Sequence, residues 1–300
     1  MTMKTFSEKE RFCEATFASL GPYWHAYTNG KETPLLFRSD EDFVFVMNVV
    51  ALAASLFPGV VIIAFEVMDN HFHFVLSGTE SEIMVFWRFI RKKLSRLFPL
   101  LRDLELHLKS IDDLQAMRNN IVYTHRNGYV VRPDCTPFSY LWGSGRYYFQ
   151  KIPCTERCGR IKVEELRRMF KGRAPVLHPD WGVLDGHISP ASFCAVGFGE
   201  SLFRDAHHYF AMIGKNVESY SELAVELDDE EFLTDSELFA QISRTLKSAY
   251  GVERLSALTG AQKLDLARSL RFEWRSSNGQ IRRLLGLSTY EVDALFPRAK

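Results

Sequence analysis

The chain has 300 residues, 46% of them hydrophobic and 25% charged, with 37 Lys and Arg against 37 Asp and Glu. That length buries a sizeable core in one large domain or two smaller ones, and a net charge of zero gives no sign of a nucleic-acid partner by itself. The start has no apolar stretch of the signal-peptide kind, and the longest apolar run, Phe43 to Phe57, is broken by Asn48 and Ser55 and falls short of the roughly 20 residues a membrane span needs. Five irregularly spaced cysteines suit a reducing compartment better than a disulfide framework, so a cytoplasmic protein with no membrane partner is expected.

Tyr23 to Thr28 reads as a strand closed by the turn Asn29-Gly30. Ser39 then fits an N-cap with Asp40, Glu41 and Asp42 in the first turn of a helix that runs to about Phe57, where Pro58-Gly59 stops it. Val60 to Met68 is a β-branched and aromatic run, a buried strand, and after the turn Asp69-Asn70 a second strand returns over His71 to Leu76. A helix follows from about Glu80 to Phe98, ended by Pro99, and Glu105 to Lys109 is a short strand. Asp112 or Asp113 caps a further helix to Asn127, with Gly128 expected at the C′ position. The order β-α-β-β-α-β with a trailing helix predicts an α+β fold, a ferredoxin-like split βαβ antiparallel sheet with helices on one face.

Residues 129–159 read as an irregular wrap rich in Pro, Gly and aromatics, and the chain from 160 onward as mostly helical. Arg160 to Arg173 is basic, whereas Glu218 to Glu237 is acidic and reads as a solvated face or loop. At the end, Ala261 to Trp274 is an amphipathic helix. Gln280 to Leu285 and a capping-box helix from Ser288 to about Phe296 flank Gly286. This is a helix-turn-helix-like pattern with Arg268, Arg271, Arg275, Arg282 and Arg283 on it, shared by DNA-binding segments and by ordinary helical bundles. The expected division is 1–150, 151–260 as a helical accessory region, and 261–300.

His71 and His73 alternate on a strand, so both imidazoles share a face that could chelate a divalent ion, although alternation by chance is common. Tyr123 and Asn127 lie four apart on one helix face; by themselves they fit a core aromatic beside Ile121 and Val122 and a helix-end residue. Cys154 and Cys158 lack the second pair of a zinc site, and no nucleophile-elbow or phosphate-loop motif occurs.

Taken together the two motifs have a counterpart. Glu66 to Leu76, with Asn70-His71-Phe72-His73 inside it, resembles the HUH motif "MxNHxHxxx" of single-tyrosine transposases, and Tyr123-Thr-His-Arg-Asn127 resembles the "YIHxN" stretch of the REP-associated tyrosine transposases. Pro137-Phe138-Ser139-Tyr140 is similar to the family's "YPWSSY" segment, and Pro34 to Phe43 to the stretch after its first strand, so the resemblance covers roughly residues 20–150. The chain departs from the family where Asn127-Gly128 replaces Asn-Pro. The resemblance implies an HUH nuclease domain that cleaves and rejoins single-stranded or hairpin DNA. In it Tyr123 is the nucleophile, and His71, His73 and Asn127 hold Mg²⁺ or Mn²⁺.

With that neighbour, the cations Arg88, Arg91, Lys92, Lys93 and Arg96 are expected to touch phosphate, as are Arg282 and Arg283 in the terminal helices. Trp142, Tyr147 and Tyr148 could stack on bases, although packing is their commoner use. His125 is expected to be structural or DNA-facing. Monomer and homodimer both stay open. The rival functions are nucleic-acid binding without cleavage, transcription regulation through residues 261–296, and a His-based phosphohydrolase.

Overall fold

A computed structural model describes residues 6–30, 33–131, 139–215, 235–272, 274, 276 and 278–296. Pro137, Phe138, Cys135, Arg275 and the acidic run Asp228 to Glu231 lie outside the described residues. The chain divides into two compact units, Met1–Gly128 with Pro137–Asp229, and Tyr129–Thr136 with Glu230–Lys300. No helix among the described residues is long and apolar enough to cross a membrane.

The first unit opens with α1 (Phe6–Ala18) and is built on an antiparallel sheet of β1 (Tyr23–Tyr27), β2 (Val61–Val67), β3 (Phe72–Ser77) and β4 (His107–Ser110) in the order β2-β3-β1-β4. β3 lies between β1 and β2, which α2 (Asp40–Leu56) joins, so the split βαβ arrangement is present. Ser39 caps α2 in a reciprocal box with Asp42, as its sequence signals; Thr79 and Glu82 do the same for α3 (Glu80–Leu94). α3 ends before the expected Phe98, and a single-turn helix over Pro99–Asp103 carries the chain to β4.

Strand alternation sorts the side chains. Phe65, Phe72 and Phe74 face α2 and α3, where Phe72 meets Trp87 at 5.3 Å and Phe74 meets Phe86 at 6.1 Å between ring centroids. His73 and Val75 point the other way, toward α4 (Leu114–Val131). Thus α2 and α3 share one face as expected, while the trailing helix α4 covers the opposite face. The sheet is enclosed on both sides.

α4 starts as expected, with the Ala116 N–H on the Asp113 carboxylate at 2.7 Å, but Gly128 does not end it. The helix continues to Val131 and Gly128 keeps helical backbone angles. Its lack of a side chain has a tertiary reason: a Cβ there would run into the Tyr140 ring.

Residues 139–215 complete this unit, and they are less helical than the sequence suggests. β5 (Glu156–Arg157), β6 (Gly182–Leu184) and β7 (His187–Ile188) form a small antiparallel sheet that, with α5 (Val163–Met169), packs on α2. Asn48 of α2 ties it down, its amide oxygen accepting the Ile188 N–H at 2.9 Å. α6 (Val196–Ser201) and α7 (Ala206–Lys215) return to the α4 face, where Leu202, Tyr209 and Ile213 join Val75, Ile121 and Val122.

In the second unit α8 (Asp235–Ala249), α9 (Gly260–Phe272), α10 (Asn278–Leu285) and α11 (Thr289–Leu295) bury Leu238, Ile242, Leu266, Leu270, Ile281 and Val292 together. Gly286, at φ +64°, makes the expected turn between α10 and α11, and Ser288 with Glu291 caps α11. α8, from the stretch expected to belong to the helical accessory region, supplies part of this core.

The Gly128–Tyr140 contact gives a stability test. Gly128→Ala should lower the unfolding free energy by about 1–3 kcal/mol through overpacking. Gly197→Ala, in a helix with nothing within 4 Å of the added methyl, should stay within about 1 kcal/mol of the parent. Equal denaturation midpoints for the two variants would refute the packing argument.

Candidate metal and nucleophile site

Tyr123 brings α4 onto the histidine face. Its ring stands edge-on to His73 at 5.5 Å and to His25 of β1 at 5.8 Å, while the His71 and His73 rings are 4.8 Å apart. Asn127 lies one turn further along the same helix. Tyr123, His73 and His71 are therefore brought together by α4, β3 and the residue just before it, and all four expected site residues are buried, with Tyr123 2% exposed and Asn127 fully covered.

Both motif histidines are held through Nδ1. The Asn70 amide nitrogen donates to the backbone oxygens of Gly30 and Thr33, each at 2.8 Å, which leaves its oxygen to face His71 Nδ1 at 2.6 Å. An amide oxygen only accepts, so the His71 proton sits on Nδ1 and the coordinating lone pair is that of Nε2. Gly30 must be glycine here, since a Cβ would fall 2.7 Å from His71 Nδ1. His73 Nδ1 in turn lies 3.1 Å from His25 Nε2. Ligand histidines in metal sites are held in this way by an outer partner. Two imidazoles and the Asn127 amide suit a divalent ion, and among the described residues no three His, Cys, Asp or Glu side chains gather into an alternative metal group.

Glu66 fixes α4 against the sheet. It pairs across the ladder with His73, and its Oε2 accepts the Gly128 N–H at 2.6 Å. Gly143 leaves room for it, since a Cβ there would fall 2.6 Å from the Glu66 Cγ. Burial raises the Glu66 pKa well above the ordinary carboxylate value, against the opposing pull of the Gly128 N–H. The Asn-Gly departure from the transposase pattern has a use here, because a proline at 128 would have no N–H to offer.

His125 is structural. It is fully buried, with Nδ1 2.9 Å from the Tyr209 hydroxyl and Nε2 2.8 Å from the Ser144 hydroxyl. Trp142, Tyr147 and Tyr148 are buried too, Trp142 stacked on Phe43 at 5.1 Å, so their surfaces are spent on packing.

The expected phosphate contacts are not brought to this site. α3 lies across the sheet from Tyr123; Arg88 and Lys92 are exposed on it and Arg96 just beyond its end, Arg91 donates to the Leu104 oxygen at 3.4 Å, and Lys93 sits 5.7 Å from the Phe89 ring centre. In the second unit Arg283 pairs with Asp235 at 2.8 Å, and Arg282 is exposed. Sequence reasoning missed His25, Glu66 and a role for Asn70. Glu66 carried a signal as a lone acid inside the apolar run Val60 to Met68, and Asn70 as the Asn of the motif, whereas His25 carried none.

Burial lowers the His125 pKa from 6.5 to about 3. Unfolding frees it to take a proton, so the stability gained by keeping it neutral is full above pH 6.5 and is lost as pH falls toward 3. Against His125→Gln, which does not titrate, the parent should lose up to about 1.4 kcal/mol more per pH unit between pH 6 and 4. Parallel stability–pH curves from denaturant titrations would refute this.

No protein-family model and no curated protein matches the chain. Among solved structures, that of the REP-associated tyrosine transposase bound to a REP hairpin aligns with it over 55% of this chain and 94% of that one, at 12% identity and a TM-score of 0.37.

Proposed function

We propose that the protein is a metal-dependent DNA-nicking and rejoining enzyme of the single-tyrosine HUH type. It acts on single-stranded or hairpin DNA in the cytoplasm, and Tyr123 is its nucleophile. The observation that carries this function is the meeting of Tyr123 with His73 at 5.5 Å, with the His71 ring 4.8 Å from His73 and Asn127 one turn along the Tyr123 helix. A Mg²⁺ or Mn²⁺ ion held by His71, His73 and Asn127 would polarise the scissile phosphate and offset charge in the transition state. Asn70 and His25 keep the two imidazoles turned for that task. The Tyr123 oxygen attacks phosphorus, forming a phosphotyrosine bond while the bond to the 3′ oxygen breaks. The phenol gives up its proton and the leaving 3′ oxygen takes one. The 3′-hydroxyl of a joining strand reverses the step, and the covalent link keeps the phosphodiester energy.

One observation favours the second reading, nucleic-acid binding without cleavage: Tyr123 is only 2% exposed. Under the first reading a covering segment has to move before DNA reaches it.

Tyr123→Phe deletes one hydroxyl and should abolish a denaturant-resistant protein–DNA adduct while leaving DNA binding nearly unchanged. The adduct should map to Tyr123 on the 5′ end of the downstream fragment. Attachment at another tyrosine overturns the assignment, and no adduct across a panel of labelled hairpins favours the binding reading. His71→Ala or His73→Ala should abolish metal-stimulated cleavage, and full activity in excess chelator would remove the metal from the proposal.

The cations on α3 and just beyond its end offer a separate test. Changing Arg88, Lys92 and Arg96 to Gln should weaken DNA binding at every sequence and flatten the log–log salt slope by roughly 2–3. It should leave cleavage of a saturating short single strand intact, because these residues lie across the sheet from Tyr123. An unchanged salt slope rules the helix out as a phosphate contact.

A further inference from the structure

His25 belongs to neither motif, yet it is fully buried in the middle of the site face. It stands on β1 opposite Val75, diagonal to His73, which β1 meets at Tyr27. Its Nε2 is 3.1 Å from His73 Nδ1, and its ring lies edge-on to His73 at 5.4 Å and to Tyr123 at 5.8 Å. One hydrogen bond between two imidazole nitrogens needs one proton and one lone pair. The pair therefore has two arrangements, and they differ in which His73 nitrogen can bind a cation.

We infer that His25 is the positioning residue of His73: its Nε2 accepts the His73 Nδ1 proton, which fixes the His73 ring plane and presents the Nε2 lone pair as ligand. His71 is the precedent within the same site, because the Asn70 amide oxygen imposes that tautomer on it. Both motif histidines then coordinate through Nε2, each held from behind by an acceptor from a different part of the chain. His73 needs such a partner from β1 because its flanking residues, Phe72 and Phe74, point to the opposite face of the sheet. The inference rests on the metal reading for its purpose, but the tautomer it assigns exists with or without an ion.

The experiment has two readouts. Long-range proton–nitrogen NMR on histidine-labelled protein without metal should show the His73 proton on Nδ1. Mn²⁺ titration followed by electron paramagnetic resonance should show affinity falling at least about 10-fold in His25→Phe, the usual cost of losing an outer partner. Affinity should be largely restored in His25→Gln, whose amide oxygen can accept the same proton. His71→Ala, expected to lose Mn²⁺ binding in any background, is the control.

A His73 proton on Nε2 in the parent overturns the inference, and this measurement needs no variant to fold. Parent-like Mn²⁺ affinity in His25→Phe overturns it as well. Intact Mn²⁺ affinity with loss of the Tyr123 adduct would also overturn it, giving His25 a direct part in activating the phenol. A parent protein that takes no Mn²⁺ would remove the metal reading alone, and the His73 tautomer would still decide the role of His25.

Discussion

One buried hydrogen bond, from the Gly128 N–H to the Glu66 carboxyl, joins the two halves of the candidate site. Glu66 belongs to the strand beside the histidine motif, and Gly128 follows Asn127 on the helix that carries Tyr123. Burial raises the pKa of so deeply buried a carboxyl group, and the hydrogen bond from the Gly128 N–H offsets part of the desolvation penalty. Two glycines make the contact possible. Gly143 gives the Glu66 side chain space, and Gly128 lets the Tyr140 ring close over the helix. Tyr140 then donates to the Val67 oxygen at 2.7 Å, so the seal is fastened to the strand it covers.

Strand alternation supplies the rest of the order. The same period of two that sends Phe72 and Phe74 into the α2–α3 layer sends His73 toward α4, so one pattern builds both a core and a site. Asn70 works at the turn before the strand, where its amide spans Gly30 and Thr33 and fixes the His71 ring from outside the ladder.

What could be read in advance was whatever depends on neighbours in sequence. The Ser39 cap, the alternating histidines, the i,i+4 relation of Tyr123 to Asn127 and the order of the elements along the chain all follow from local period and punctuation. What escaped depends on distant partners. Gly128 looked like a helix stop because glycine usually is one, but its reason is a ring that arrives from residue 140. His25 is silent in the sequence because a single histidine in a strand acquires meaning only beside His73. The strands β5 to β7, two or three residues each, are too short to show any period; β5 formed in the stretch read as an irregular wrap, and β6 and β7 where helix seemed the better reading.

The sheet separates Tyr123 from the exposed cations of α3, and its two edges are not alike. β2 is covered, for Val67 donates to the Trp142 oxygen at 2.8 Å and Gly143 bridges to Glu66. β4 at the other edge pairs only with β1 among the described strands, and its ends are exposed. Under the proposed function, a polyanion that touched both α3 and Tyr123 would have to pass from one face of the sheet to the other. Helix, sheet and helix together are roughly 30 Å thick. Under the proposed function, a strand shorter than that thickness would reach one face or the other, and only a longer one could touch both.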